Sequence, residues 1–186
     1  MSKQYTHKGP WQIKSTKVIY KNPWTELRED QVITPSGKDG IYGVTNLLDG
    51  VCVISIDENG MLHFVKEFKY AVNDYCIEGV CGGIEKGHTK EETAHKELAE
   101  ELGITAKSLE YIGAFDTFTS VVECTMHLYI AREISLHEHA HEETEVIEPI
   151  TLSLTQAYEM MLNGEINHLP TTHLINHLYI KHLESK

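Results

Sequence analysis

Three glutamates, Glu97, Glu100 and Glu101, fall within five positions of the stretch CGGIEKGHTKEETAHKELAEELGI (residues 81–104). A helix turns about 100° per residue, so spacings of three and four return side chains to the same face. A helix here therefore puts all three carboxylates on one surface. At roughly 6 Å and an effective dielectric near 20, each like-charge pair costs on the order of 3 kcal/mol. Solvent, a basic neighbour or a metal ion has to offset that repulsion. Hard oxygen donors of this kind suit Mg2+ or Mn2+, with substrate phosphates completing the coordination. The plain alternative is a solvated acidic face laced by i,i+4 pairs such as Glu92–Lys96 and Lys96–Glu100.

The element that positions the glutamates is a helix over residues 89–102. Ala94, Leu98 and Leu102 make an apolar stripe at i, i+4 and i+8. That stripe is centred roughly 105° from the midpoint of the glutamates, so one face packs while its neighbour opens to a cleft. Thr89 suits the N-cap, Glu91 and Glu92 the first turn, and Gly103 the stop. Upstream, GVCVISI (50–56) and MLHFVKEFKY (61–70) flank the turn DENG, a hairpin signal. Downstream, LEYIGAF (109–115), CTMHLYIA (124–131) and VIEPITL (146–152) read as strands, and HEHAHEETE (137–145) as a polar surface loop. LTQAYEMMLNGE (154–165) and PTTHLINHLYIKHLES (170–185) read as two closing helices, with Gly164 between them and Pro170 opening the second. Near the N-terminus, KVIY, QVITP and the turn PSGKDG form a small antiparallel unit too short to bury a core of its own. Strands around a central helix, with helices at the end, predict a mixed α/β sandwich.

Composition excludes several classes. At 186 residues, 41% hydrophobic and 24% charged, the chain suits one domain or one domain plus a small appendage. A formal net charge of −12 argues against nucleic-acid binding, and makes an anionic substrate depend on a metal or a few placed cations. The cysteines at 52, 76, 81 and 124 form no CxxC pair, so neither a zinc site nor a disulfide framework is signalled. Reduced, mostly buried thiols are expected instead. Neither a signal peptide nor a membrane-spanning run is evident, so a soluble, cytoplasmic protein with no membrane partner is expected. His137, His139 and His141 alternate, and on an extended segment would share a face able to bind Zn2+ or Ni2+.

The longer frame around the glutamates resembles the Nudix box. Gly82, Glu97, Leu98, Glu100, Glu101, Gly103 and Ile104 match at the box spacings, while His88 stands where its first Glu is expected and Lys96 where its Arg is expected. The resemblance extends over nearly the whole chain: YCIEGVCGG (75–83), NPWTELREDQVITPSGKDGIYGV (22–44), VKEFKY (65–70) and LSLTQAYEMMLNGEI (152–166) are similar to segments of the ADP-ribose and nucleotide-sugar pyrophosphatases. It implies an α+β Nudix fold, an α/β/α sandwich around a mixed sheet. A small N-terminal antiparallel unit (1–45) serving dimerisation and substrate contacts would precede the hydrolase domain (46–186).

The resemblance also implies roles. Glu97 and Glu101 would be the principal ligands of Mg2+ or Mn2+, with Glu100 sharing a metal or bridging through water, and the Cys81 backbone carbonyl and Glu145 as further ligands. Glu143 matches the general-base position, with Glu142 one residue away as the substitute. Trp24 and Tyr42 match aromatics that stack on the nucleobase across a homodimer, and such stacking is worth about 1–3 kcal/mol. Lys69 falls where many relatives carry a phosphate-binding Arg, keeping the charge but losing the bidentate fork. Glu78 also matches. The implied reaction is hydrolysis of ADP-ribose or a nucleoside diphosphate sugar to a nucleoside monophosphate and a sugar phosphate. A nucleotide-sensing module with little turnover, or a pyrophosphatase for another nucleotide derivative, are the alternatives. Lys96 can still pair with a carboxylate, though less rigidly than Arg, which predicts reduced activity. His88 is a poor Mg2+ ligand and affects metal number or choice.

Overall fold

The glutamates lie on α1 (Lys90–Leu102), which Thr89 caps in a closed capping box with Glu92. The Glu92 amide donates to Thr89 Oγ1 at 3.1 Å, and the Thr89 amide to Glu92 Oε2 at 2.8 Å. Gly103 ends the helix at φ 62°, a left-handed conformation that glycine adopts without a Cβ clash. The expected stripe is the buried one, with Ala94, Leu98 and Leu102 joined by Thr93. The computed structural model describes residues 5–137 and 147–185. Among these, no helix is long and apolar enough to cross a membrane.

The chain divides into two compact units, Met1–Leu48 with Asp116–Thr125, and Asp49–Phe115 with Met126–Lys186. The larger unit is built on β5 (Gly50–Ile56), β6 (Leu62–Lys69), β9 (Ile104–Asp116), β11 (Thr125–Leu136) and β12 (Glu148–Leu152). These form a sheet in the order β12-β6-β5-β11-β9, with β7 (Asp74–Glu78) added on β6 and β8 (Val80–Gly83) on β5. The sheet is mixed: β11 runs parallel to β5, whereas β6 and β8 run antiparallel to it. Central β5 is buried from Gly50 to Ser55, and its alternation sorts the core into two layers. Val51 and Val53 pack with Val80, Ala94, Leu98 and Leu102 on the α1 side. Cys52 and Ile54 pack with Ala157, Leu174, Ile175 and Leu178 on the other. These last residues come from α2 (Leu154–Leu162) and α3 (Leu169–Glu184), completing the α/β/α sandwich.

In the smaller unit β1 (Thr6–Lys8), β2 (Trp11–Lys21), β3 (Thr25–Ile33), β4 (Asp39–Leu47) and β10 (Val122–Glu123) form one sheet in that order. The short KVIY and QVITP runs extend into strands of 11 and 9 residues, because the ladder continues through polar positions. Nothing in the sequence signalled β10, which pairs parallel to β4. An ion cluster anchors it. Arg28 donates to both Glu123 oxygens at 2.9 and 2.8 Å, and Lys8 to Glu123 Oε1 at 2.6 Å. These bonds lower the Glu123 carboxyl to a pKa of about 2.

Candidate active site

The α1 glutamates meet the sheet at β8. In the β5–β8 ladder Val51 pairs with Gly82 and Cys52 with Cys81. A Cβ on Gly82 would fall 2.2–2.4 Å from Cγ, Cδ and Oε1 of Glu97, so the Glu97 side chain occupies the space a larger residue would fill. Its carboxylate lies beside the β8 main chain, next to Cys81. Glu97 and Glu101 are half-buried and Glu100 is exposed. Lys96 stands between Glu97 and Glu100, with Nζ 3.8 Å from Glu97 Oε1 and 3.2 Å from Glu100 Oε2. The Glu100 hydrogen bond raises the Lys96 pKa, so this lysine stays charged. It therefore keeps an ion pair at the box arginine's position, as expected from its charge.

These groups fit a hard divalent cation. The donors are carboxylate oxygens, and the Gly82 notch holds one of them against backbone. His88 is exposed in the turn before α1, its amide donating to the Glu85 carbonyl at 3.1 Å. The neighbouring Glu92 carboxyl is lowered chiefly by hydrogen bonds to Thr89, with a smaller effect from His88.

A second polar cluster adjoins Cys81. Lys69 Nζ lies 2.5 Å from Glu67 Oε2 and 3.7 Å from Glu78 Oε2. Burial works against the Lys69 charge, but these two glutamates outweigh it and raise the pKa. Burial raises the Glu78 carboxyl, with Lys69 opposing. His168 Nδ1 is 3.8 Å from Glu78 Oε2 and 2.9 Å from Thr171 Oγ1. Burial, then the Lys69 charge, lowers the His168 pKa to about 4, so the ring is neutral at pH 7. The Cys81 thiol is pushed well up by its contact with Cys52 and by burial, with smaller effects from Glu78 and Glu101. The larger unit thus brings Glu97, Glu101, Cys81, Lys69 and Glu78 around β8.

Sequence reasoning missed His168 and Thr171. The only local signal was a histidine just before the Pro-led start of α3, which by itself says nothing about Glu78.

Trp24 and Tyr42 belong to the smaller unit. Trp24 is 71% exposed at the β2–β3 turn, where Asn22 Oδ1 accepts from its amide at 2.9 Å. Tyr42 packs edge-on to Trp11 with centroids 5.3 Å apart, and its hydroxyl donates to the Ser120 carbonyl. It lines a cleft of about 190 Å³ with Trp11, Ile13, Asp30, Val32 and Val121. In the β3–β4 ladder Asp30 pairs with Tyr42, and Trp24 lies six positions before Asp30, so about 20 Å separates the two aromatics along the strands. Glu142, Glu143 and Glu145 lie outside the described residues, as do His139 and His141. His137 Nε2 lies 2.9 Å from Thr105 Oγ1.

Known proteins match this arrangement. Residues 46–174 match the NUDIX domain, and residues 11–45 the nucleoside diphosphate sugar hydrolase N-terminal domain. An ADP-ribose pyrophosphatase of Bacillus subtilis (strain 168) is 31% identical over 91% of this chain and 90% of its own length. A methanol dehydrogenase activator of Bacillus methanolicus is 26% identical over 89% of this chain and 91% of its own. The crystal structure of an ADP compounds hydrolase superposes with a TM-score of 0.80 at 15% identity, covering 96% of this chain and 98% of the other, a likeness of fold. With a NUDIX match over residues 46–174 and a relative 31% identical across nearly its full length, the chain belongs to the Nudix family.

Proposed function

We propose that this Nudix hydrolase cleaves the pyrophosphate of ADP-ribose or of a nucleoside diphosphate sugar, releasing a nucleoside monophosphate and a sugar phosphate. The observation that carries the reading is Glu97 seated on Gly82, with Glu100 and Glu101 beside it in the box frame. The names of the relatives, ADP-ribose pyrophosphatase in Bacillus subtilis (strain 168) and ADP-sugar pyrophosphatase in Mus musculus, support the substrate class.

Nudix hydrolases depend on divalent metal, and the all-oxygen donor set favours Mg2+ or Mn2+ here. Glu97, Glu101, Glu100 and the Cys81 carbonyl would hold it, joined by Glu145. Bound there, such a cation would supply the positive charge that offsets the repulsion between two phosphates and a nucleophile. The chain's own groups do the rest. Lys69, already charged, offers its ammonium to a phosphate oxygen in exchange for Glu67. Glu143, or Glu142 beside it, accepts the proton of the attacking water. Lys96 holds Glu100 and steadies Glu97 against mutual repulsion. Residues 1–45 would contribute Trp24 and Tyr42 to base stacking in a cytoplasmic homodimer.

A panel of ADP-ribose, nucleotide sugars and dinucleotides, assayed for released monophosphates with Mg2+ or Mn2+, tests this. Glu101→Gln should lower kcat on ADP-ribose by about 100-fold or more while the fold persists. A wild type that binds nucleotides yet turns over none of the panel would instead be a sensing module. The relative named as a dehydrogenase activator, together with His88 and Lys96, keeps that second reading in view.

A further inference from the structure

The face of β8 opposite α1 carries a different set of donors. Antiparallel pairing sets Cys52 directly across from Cys81, and strand alternation sends both thiols to the layer covered by α2 and α3. His168, the residue capping α3, brings its imidazole to the same place. The two sulfurs and a ring nitrogen lie within 4.8 Å of one another, the one trio of cysteine, histidine or carboxylate donors this close among the described residues. Buried Thr171 ties the cluster together. Its hydroxyl oxygen accepts from the Gly79 amide at 2.8 Å, and lies 2.9 Å from His168 Nδ1 and 3.8 Å from Cys52 Sγ.

We propose that Cys52, Cys81 and His168 form a binding site for a soft d10 cation of the Zn2+ type, separate from the carboxylate cradle. Zinc–sulfur bonds of about 2.3 Å and zinc–nitrogen bonds of about 2.0 Å put tetrahedral ligands roughly 3.5–3.8 Å apart, so the trio closes by about 1.3 Å at most. Two thiolates balance the charge of one divalent cation, which suits a site lined by the apolar layer beneath α2 and α3. Each thiol releases its proton to solvent as the metal binds, so affinity rises with pH. Glu78, 3.8 Å from the imidazole, stands where a carboxylate orients a metal-binding histidine. Soft sulfur donors disfavour Mg2+, so the two sites sort cations by hardness. The expectation of no zinc site rested on the missing CxxC spacing, which a site assembled across strands does not need. This inference does not rest on the hydrolase reading.

The test is a Co2+ titration of the full, reduced chain in excess Mg2+. One equivalent should produce a sulfur-to-cobalt charge-transfer band in the near ultraviolet, abolished by one equivalent of Zn2+. Glu101→Gln and Cys124→Ser should keep the band, whatever they do to hydrolysis. Cys81→Ser should lose it. His168→Gln, which leaves both thiols in place, should weaken Co2+ affinity at least tenfold, and it answers the question if Cys81→Ser misfolds. Cobalt uptake without a thiolate band, as from imidazoles alone, overturns the proposal. So does a band unchanged in both Cys81→Ser and His168→Gln.

Discussion

Glu97 owes its place to an absent side chain. Because a Cβ on Gly82 would overlap its carboxylate, Gly82→Ala should push Glu97 off β8 while leaving α1 intact. Misplacing a catalytic group by an ångström costs about 100-fold, so kcat on ADP-ribose should fall by that order, measured beside a thermal melt. An unchanged kcat would remove Glu97 from the machinery. His168 makes a prediction about pH. Its folded pKa of about 4 lies below the ordinary 6.5, so the unfolded chain takes up the proton first on acidification. Its contribution is fully present above pH 6.5 and is lost as pH falls toward 4, at most about 3 kcal/mol. Lys69, Glu78 and Cys81 face or adjoin the ring, and the raised Glu78 carboxyl works in the opposite direction. Denaturant melts of chelator-treated protein from pH 7 to 4 should show a shallower loss for His168→Gln than for wild type. Parallel slopes would mean the ring already titrates as it does in the unfolded chain.

At the scale of elements, α1 was legible because everything that defines it is local. The stripe Ala94–Leu98–Leu102, the Thr89 cap and the Gly103 stop all appear where spacing put them. Thr89→Ala removes the Oγ1 bond of the capping box, leaving the residue 89 amide to donate to Glu92, and should cost about 1 kcal/mol by denaturant melt, with hydrolysis reduced only as far as α1 frays. No change in the melting midpoint would show that packing of Thr93, Ala94 and Leu98 holds the helix start without the cap. Strand β5 was legible too, since a continuous apolar run between Gly50 and the DENG turn reads as a strand buried on both faces. β10 was not, for it is two residues long and exists through a parallel pairing with β4 and an ion cluster with Arg28 and Lys8. Such contacts leave no periodic trace in the segment itself.

For the whole molecule, charge and exposed surface set the terms. A net −12 repels anionic substrates, so the proposed function asks a few placed cations, Lys69 among them, and a divalent metal to supply the attraction. Strand β2 is exposed at every position from Ser15 to Lys21, including Val18, Ile19 and Tyr20, and Ile41 on β4 is 65% exposed. Apolar residues gathered on one small sheet favour a second copy as their cover. Light scattering should therefore give twice the 21.1 kDa chain mass, and a monomer would remove the intersubunit stacking assigned to Trp24 and Tyr42. The sequence by itself determined the carboxylate helix, its caps, the strand before the DENG turn and the family frame. Helical and strand periodicities, and the caps that end them, are properties of near neighbours in the chain. Only the tertiary structure decided that Gly82 makes room for Glu97, that Cys52 faces Cys81, and that His168 joins Glu78. Those meetings depend on strand register and on which face of the sheet each helix covers, and both are set by hydrogen-bond ladders and packing between segments far apart in the chain.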